Sequence, residues 1–332
     1  MAMGIKRALF GRALAACGLA LTLAVAGAGV VGAVGLGTTP TGGVKPHGVA
    51  VNPNTNRVYV TNESSNTVSV FDGTSPLPVL LAISPVGSDP RGVDVNPNMN
   101  RVYVANAQSA SVSVLDGATN AVIDTVPVGL GPVGVAVDTT TNRVYVVNMQ
   151  SRTISVLDGA TDAVVATITG LGYGPVAVAV DPPAGRAFVA NYNMNNVSVI
   201  DESTNTVVKT IPVGLAPRGI GVNPTPGLHR VYVANAASGT VSVLNGNSYS
   251  LLTTIPLGAG TYPYDVAVNP LNNRVYVAET GPNVLAVIDG NGNHVIATLP
   301  SGVDPFGLAV NPATHVAYTA NSGDNTVSAV QD

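Results

Sequence analysis

One unit recurs seven times along this chain of 332 residues, and its length leaves few folds open. The unit begins with proline and reads, in its second copy, Pro90-Arg-Gly-Val-Asp-Val-Asn-Pro97, then Arg101-Val-Tyr-Val-Ala-Asn106, Ser111-Val-Ser-Val-Leu-Asp-Gly117 and Ala121-Val-Ile-Asp-Thr-Val-Pro-Val-Gly129. The opening prolines are Pro46, Pro90, Pro132, Pro175, Pro217, Pro263 and Pro305, at intervals of 44, 42, 43, 42, 46 and 42 residues. Each copy holds four short runs rich in Val, Ile, Thr and Tyr, separated by Asn-Pro, Asx-Gly or Gly-containing turns, which is the pattern of a four-stranded antiparallel meander. One such sheet cannot bury both its faces. Seven in series predict an all-β fold, a seven-bladed β-propeller of four-stranded antiparallel blades. The 37 Gly and 24 Pro agree, because they punctuate the chain too often for long helices.

The two ends of the chain complete each other. The seventh copy stops at Asp332, after its third strand, while Thr38-Thr-Pro-Thr-Gly42 has the form of the fourth-strand ending Thr210-Ile-Pro-Val-Gly214. A strand within Val34 to Gly42 is therefore expected to finish the last blade and leave no open edge. Ahead of it, Lys6, Arg7 and Arg12 precede an uncharged stretch from Ala13 to Ala26 that ends in Ala24-Val25-Ala26, the pattern of a secretory signal peptide. The domain reading is a signal peptide at 1–26, a short linker at 27–33 and a single propeller at 34–332. Apolar sequence continues to Gly37, and Leu14-Ala15-Ala16-Cys17 has the shape of a lipoprotein box, so an N-terminal anchor is the alternative. Cleavage implies a secreted, periplasmic or cell-envelope protein with no integral membrane span. The only cysteine falls inside this leader, which suits an oxidising compartment and excludes a disulfide framework or thiolate zinc site.

The second strands carry a family resemblance. Tyr59-Val60-Thr61-Asn62 recurs in variant form as Tyr103-Val-Ala-Asn106, Tyr145-Val-Val-Asn148 and Tyr232-Val-Ala-Asn235, so Pro46 to Asp332 resembles the YVTN family of β-propeller repeat proteins. Phe188 replaces the tyrosine in blade four, and Glu279 replaces the last asparagine in blade six. The resemblance implies an exported or cell-surface propeller and is nearly silent on activity.

Residues present in every copy are expected to be structural. Arg57, Arg101, Arg143, Arg186, Arg230 and Arg274, with His315 in blade seven, open the second strands; Asp72, Asp116, Asp158, Asp201, Asn245, Asp289 and Asp332 close the third. In a meander these two ends are neighbours, which predicts ion pairs around the bottom rim, within a blade or between blades. Asparagines ending strand two, from Asn62 to Asn321, are read as satisfying the backbone of the following turn, and those ending strand one as turn formers. The repeated tyrosines are expected to pack between blades.

What varies lies at the other end. Before the fixed prolines stand Lys45, Asp89, Gly131, Gly174, Ala216, Tyr262 and Asp304, and after them His47, Arg91, Val133, Val176, Arg218, Tyr264 and Phe306. Asp265 replaces the Gly or Ala of other blades, as does Asp94 two positions further along strand one; with Glu279 these are the irregular acids. The candidate ligand-binding mouth is His47, Arg91, Arg218, Tyr262, Tyr264, Asp265 and Phe306, suited to a small anionic molecule, a glycan or an envelope or extracellular protein. No cofactor and no metal is expected, and the protein is read as a monomer.

The charge argues against nucleic acid, being −4 overall and −7 once Lys6, Arg7 and Arg12 are subtracted from the 14 basic residues against 18 acidic ones. The absence of Trp removes both an Asp-box sialidase and the stacking floor of a quinone-dependent dehydrogenase. The four histidines, His47, His229, His294 and His315, are read as occupying four different repeat positions, which does not suggest a metal centre. Pro46-His-Gly-Val49 resembles the histidine-bearing turns of streptogramin-lyase-like propellers, with Glu279 as a conceivable acid or base partner. The expected function is a non-catalytic binding module; the alternative is a lyase or lactone-hydrolase-like enzyme in the central mouth.

Overall fold

The computed structural model describes residues 33–331, and within them 28 strands form seven four-stranded antiparallel sheets. Blade one runs Pro46–Asn52, Arg57–Asn62, Thr67–Asp72 and Val79–Pro85, from the central channel outward, and the other blades follow the same order. Closure is as the sequence predicts. Val34–Pro40 pairs antiparallel with Thr326–Gln331, Val34 opposite Gln331 and Pro40 opposite Thr326. The expected leader and most of the linker fall in residues 1–32, outside the described residues; among those described, no helix is long and apolar enough to cross a membrane.

The core is divided among the seven interfaces between blades. Tyr145, Val147, Ile154 and Val156 of blade three meet Val178, Ala187, Val189 and Ile200 of blade four, and corresponding clusters fill the other six interfaces. Alternation along strand two explains this. Tyr59, Tyr103, Tyr145, Tyr232, Tyr276 and Tyr318 are almost fully buried and send their rings across to the next blade, where the Tyr103 and Tyr318 hydroxyls donate to the carbonyls of Gly159 and Gly73, both at 3.3 Å.

At the bottom end the ion pairs form with variations. Arg57 meets Asp72 at 3.7 Å, Arg186 meets Asp201 at 2.9 Å, Arg274 meets Asp289 at 2.9 Å, and Arg143 pairs with Asp158. Arg101 instead crosses to Asp162 of the next blade at 2.8 Å, and Arg230, lacking an acid in its own blade, turns to the Gly290 carbonyl. Blade seven departs from expectation. The register sets Val316 against Gln331, so these two hold the positions expected for the ion pair, His315 does not, and Asp332 lies outside the described residues.

His315 lies one residue earlier, in a left-handed turn conformation (φ 57°) that Asn56, Asn100, Asn142 and Asn273 also adopt and that asparagine tolerates well. His229 (φ 42°) shares that position, so two of the four histidines are equivalent. The position has a shared role. The residue ending strand one in each blade reaches it in the next: Asn52 to Asn100 at 2.8 Å, Asn96 to Asn142 and Asn223 to Asn273 at 2.7 Å, and Asn311 to Asn56 at 2.8 Å. Asp181 meets His229 at 2.9 Å, and Asn269 meets His315 at 2.9 Å. The seventh interface has Gly185 at that position, and Glu202 lies near Asp138 instead; burial, with the charge of Asp138, raises the Glu202 carboxyl to about 8. The strand-one ends are therefore inter-blade ties as well as turn formers.

Candidate functional site

At the opposite end each blade delivers one side chain to the channel mouth. The residue before the fixed proline takes a left-handed conformation, as in Lys45, Asp89 and Ala216, and a register shift follows the proline. Beyond it the inner strands pack tightly: a Cβ on Gly48 would lie 2.3 Å from the Arg91 carbonyl, and one on Gly307 2.3 Å from that of His47. The chain is thus held by backbone fit while the residue after the proline is free to differ.

Those residues surround a cavity of about 410 Å³, within the range of small-molecule sites. His47, Arg91, Arg218, Tyr264 and Asp265 line it, so five of the seven expected site residues come together. Phe306 backs it, stacked on Tyr264 with ring centroids 4.4 Å apart and set edge-on to His47 at 5.5 Å. Tyr262 does not join them. It occupies the left-handed position ahead of Pro263 (φ 46°), is 56% exposed and lies outside the cavity. Of the corresponding residues only Asp89 meets a mouth side chain, accepting a hydrogen bond from Arg91 at 3.1 Å.

The two arginines differ in state. Arg91 is balanced by Asp89 and by Glu63 at 3.9 Å. Arg218 has no carboxylate partner among the described residues; its guanidinium lies between the rings of Tyr192 at 4.8 Å and Tyr264 at 4.7 Å. His47 sits 3.2 Å from the Tyr264 hydroxyl, and burial, assisted by the charges of Arg91 and Arg218, drives its pKa down to about 3. It is a neutral polar contact at physiological pH.

Two irregular acids lie in the channel wall and tie blades together. Asp94 accepts hydrogen bonds from Val95 N and, across the interface, Val137 N, both at 2.8 Å; Asp265 accepts from Val266 N at 2.8 Å and, in blade seven, Leu308 N at 2.9 Å. These bonds favour the carboxylates, but burial outweighs them and lifts Asp94 to about 6 and Asp265 to about 7.

Glu279 is not a channel acid and does not approach His47. It is 4% exposed within blade six, where burial raises it to about 7. The equivalent asparagines show why. Asn62 donates to Thr67 and Ser69, and Asn321 to Thr326 and Ser328, hydroxyls of strand three and not the turn backbone; blade six has Val284 and Ala286 there.

Sequence reasoning missed Tyr192, Met149 and Glu63, which follow the strand-two asparagine in blades four, three and one. Tyr192 and Met149 line the cavity, and Glu63 pairs with Arg91. The signal was present, because that position reads Glu, Ala, Met, Tyr, Ala, Thr and Ser across the seven blades.

The NHL repeat family matches residues 44–71, most of the first three strands of blade one. No curated protein matches the chain. Among solved structures the chain is similar to the Kuenenia stuttgartiensis hydrazine synthase, with a TM-score of 0.78 at 20% identity over 89% of this chain and 97% of that one. At that identity the likeness is of fold, and the chain is a β-propeller repeat protein.

Proposed function

We propose that this protein is an exported propeller of the YVTN type that acts as a non-catalytic binding module, with its ligand held in the top-face mouth. One observation carries the reading: Arg218 is a cation without a carboxylate partner among the described residues, fixed between two aromatic rings on the wall of a small-molecule-sized cavity. A ligand anion would take up hydrogen bonds that this half-buried guanidinium can donate. Export rests on the basic and apolar leader at residues 1–26. The lyase or lactone-hydrolase reading gains little support, since a histidine with a pKa near 3 is a weak general base at neutral pH and Glu279 is not among the residues lining the cavity.

The test is a titration of the purified protein with a chemically mixed set of anionic, neutral and cationic small molecules, followed by NMR on the His47 and Tyr264 side chains. Ligands are expected to perturb these resonances, to lose affinity in Arg218→Ala and to be recovered unchanged. Binding that shifts only resonances elsewhere would refute the mouth as the site, and turnover would favour the enzyme.

A further inference from the structure

The mouth is not uniform around its circumference. Blades five, six, seven, one and two present Arg218, Tyr264, Phe306, His47 and Arg91 after the fixed proline; blades three and four present Val133 and Val176. Met149 joins the two valines along the cavity wall. Apart from Tyr192 of blade four, which lies against Arg218, the side chains lining the cavity from blades three and four are aliphatic, so a polar and aromatic sector and an aliphatic one share a single cavity.

Charge accounting narrows what can fill it. Arg91 already has two acids, His47 is neutral, and Arg218 is the remaining cation of the lining. One negative group can pair with Arg218, while Asp94 and Asp265 in the same lining oppose further negative charge. Geometry narrows it again. The Arg218 guanidinium carbon lies 4.8 and 4.7 Å from the centroids of the Tyr192 and Tyr264 rings, which narrows the directions from which a ligand can reach it. A planar carboxylate suits a guanidinium fork, accepting two parallel N–H···O bonds.

We propose that the mouth binds an amphipathic monocarboxylate, its carboxylate on Arg218 and its apolar body against Val133, Val176 and Met149. This rests on the reading of the mouth as the ligand site and adds the class of ligand. Neither sector alone specifies it: the cation alone admits any small anion, and the valines alone admit any apolar molecule. Together they select a molecule with both ends.

Calorimetric titration of the purified protein with acetate, butanoate, hexanoate and benzoate, with inorganic phosphate and hexylamine beside them, tests the class. Affinity should rise about fourfold per added methylene from acetate to hexanoate, as expected for burial of each CH₂. Hexanoate should lose at least tenfold in Arg218→Ala, and Arg218→Lys should recover only part of this, since charge returns without the fork. Val176→Ser should weaken hexanoate and leave acetate unchanged, which a general loss of folding would not do; melting temperatures of all three variants check that the ring is intact. Phosphate or hexylamine binding better than hexanoate, or equal affinities along the acid series, would overturn the monocarboxylate class while leaving the mouth as a site. Failure of every probe to bind would overturn the class as well. Carboxylate binding indifferent to Arg218→Ala would overturn both readings.

Discussion

The two ends of the inner strands obey opposite rules. At the bottom, the tie between adjacent blades is made by Asn with Asn, Asp with His or Asn with His, so the residues change and the contact is kept. At the top, backbone fit is kept and the delivered side chain changes from Val to Arg to Tyr, with a different contact each time. Variation alone therefore does not mark a site. What marks it is variation that leaves a cation without its counter-ion and a cavity beside it.

Changes that split this comparison should separate stability from binding. The largest effect is expected where both ends are lost at once: deleting Val34–Pro40 removes one row of blade seven and exposes an edge, at a cost of about 5 kcal/mol or more. Urea unfolding and size-exclusion chromatography should show a lowered midpoint and self-association; an unchanged midpoint and elution volume would contradict the seam.

Next comes pH. Asp265 is raised from 3.8 to about 7 in the folded chain, so between those values the native state holds more protons than the unfolded state. Its contribution is intact below about pH 4 and is lost as pH rises toward 7, a decline of roughly 2–4 kcal/mol. Asp94, Glu279 and Glu202 add the same sign. Asp265→Asn should flatten the fall in unfolding free energy measured from pH 4 to 8. A slope equal to that of the native chain would mean that Asp265 titrates normally.

Smaller again is a bottom tie. Asp181→Ala leaves His229 without its partner and should cost about 1–3 kcal/mol in chemical denaturation, with ligand affinity unaltered. Loss of binding there would erase the distinction between the two ends. Smallest is Arg91→Ala at the mouth. Because Asp89 and Glu63 already balance this arginine, its removal should weaken an anionic ligand less than threefold, against tenfold or more for Arg218→Ala. Equal losses would show that the pairing is broken when ligand binds.

The repeat made the fold legible, since seven prolines at near-constant spacing fix blade number and strand order, and the unmatched chain ends fix the closure. His315 was misplaced because blade seven has Val316 where other blades have Arg, and only the pairing of Val316 with Gln331 shows the one-residue difference. At the mouth, the residue after the proline was visible as variable, and five of seven named residues line the cavity. Tyr262 was not separable from Tyr264 by sequence. They differ by two positions, and the left-handed turn at Tyr262 with the shift after Pro263 decides which faces the channel. The state of Arg218 was also hidden, because it depends on Tyr192 from a neighbouring blade.

The pairing of Val34–Pro40 with Thr326–Gln331 joins one of the first described segments to leave the ribosome to one of the last. During synthesis the early strand must wait, through nearly the whole length of the chain, for its neighbour to exist. Blades one to six are each built from contiguous sequence, yet the ring stays open and blade seven incomplete until Thr326–Gln331 meets Val34–Pro40. Closure thus rests on one pairing between segments almost 300 residues apart, and a chain truncated within Thr326–Gln331 would remain an arc with its clasp undone.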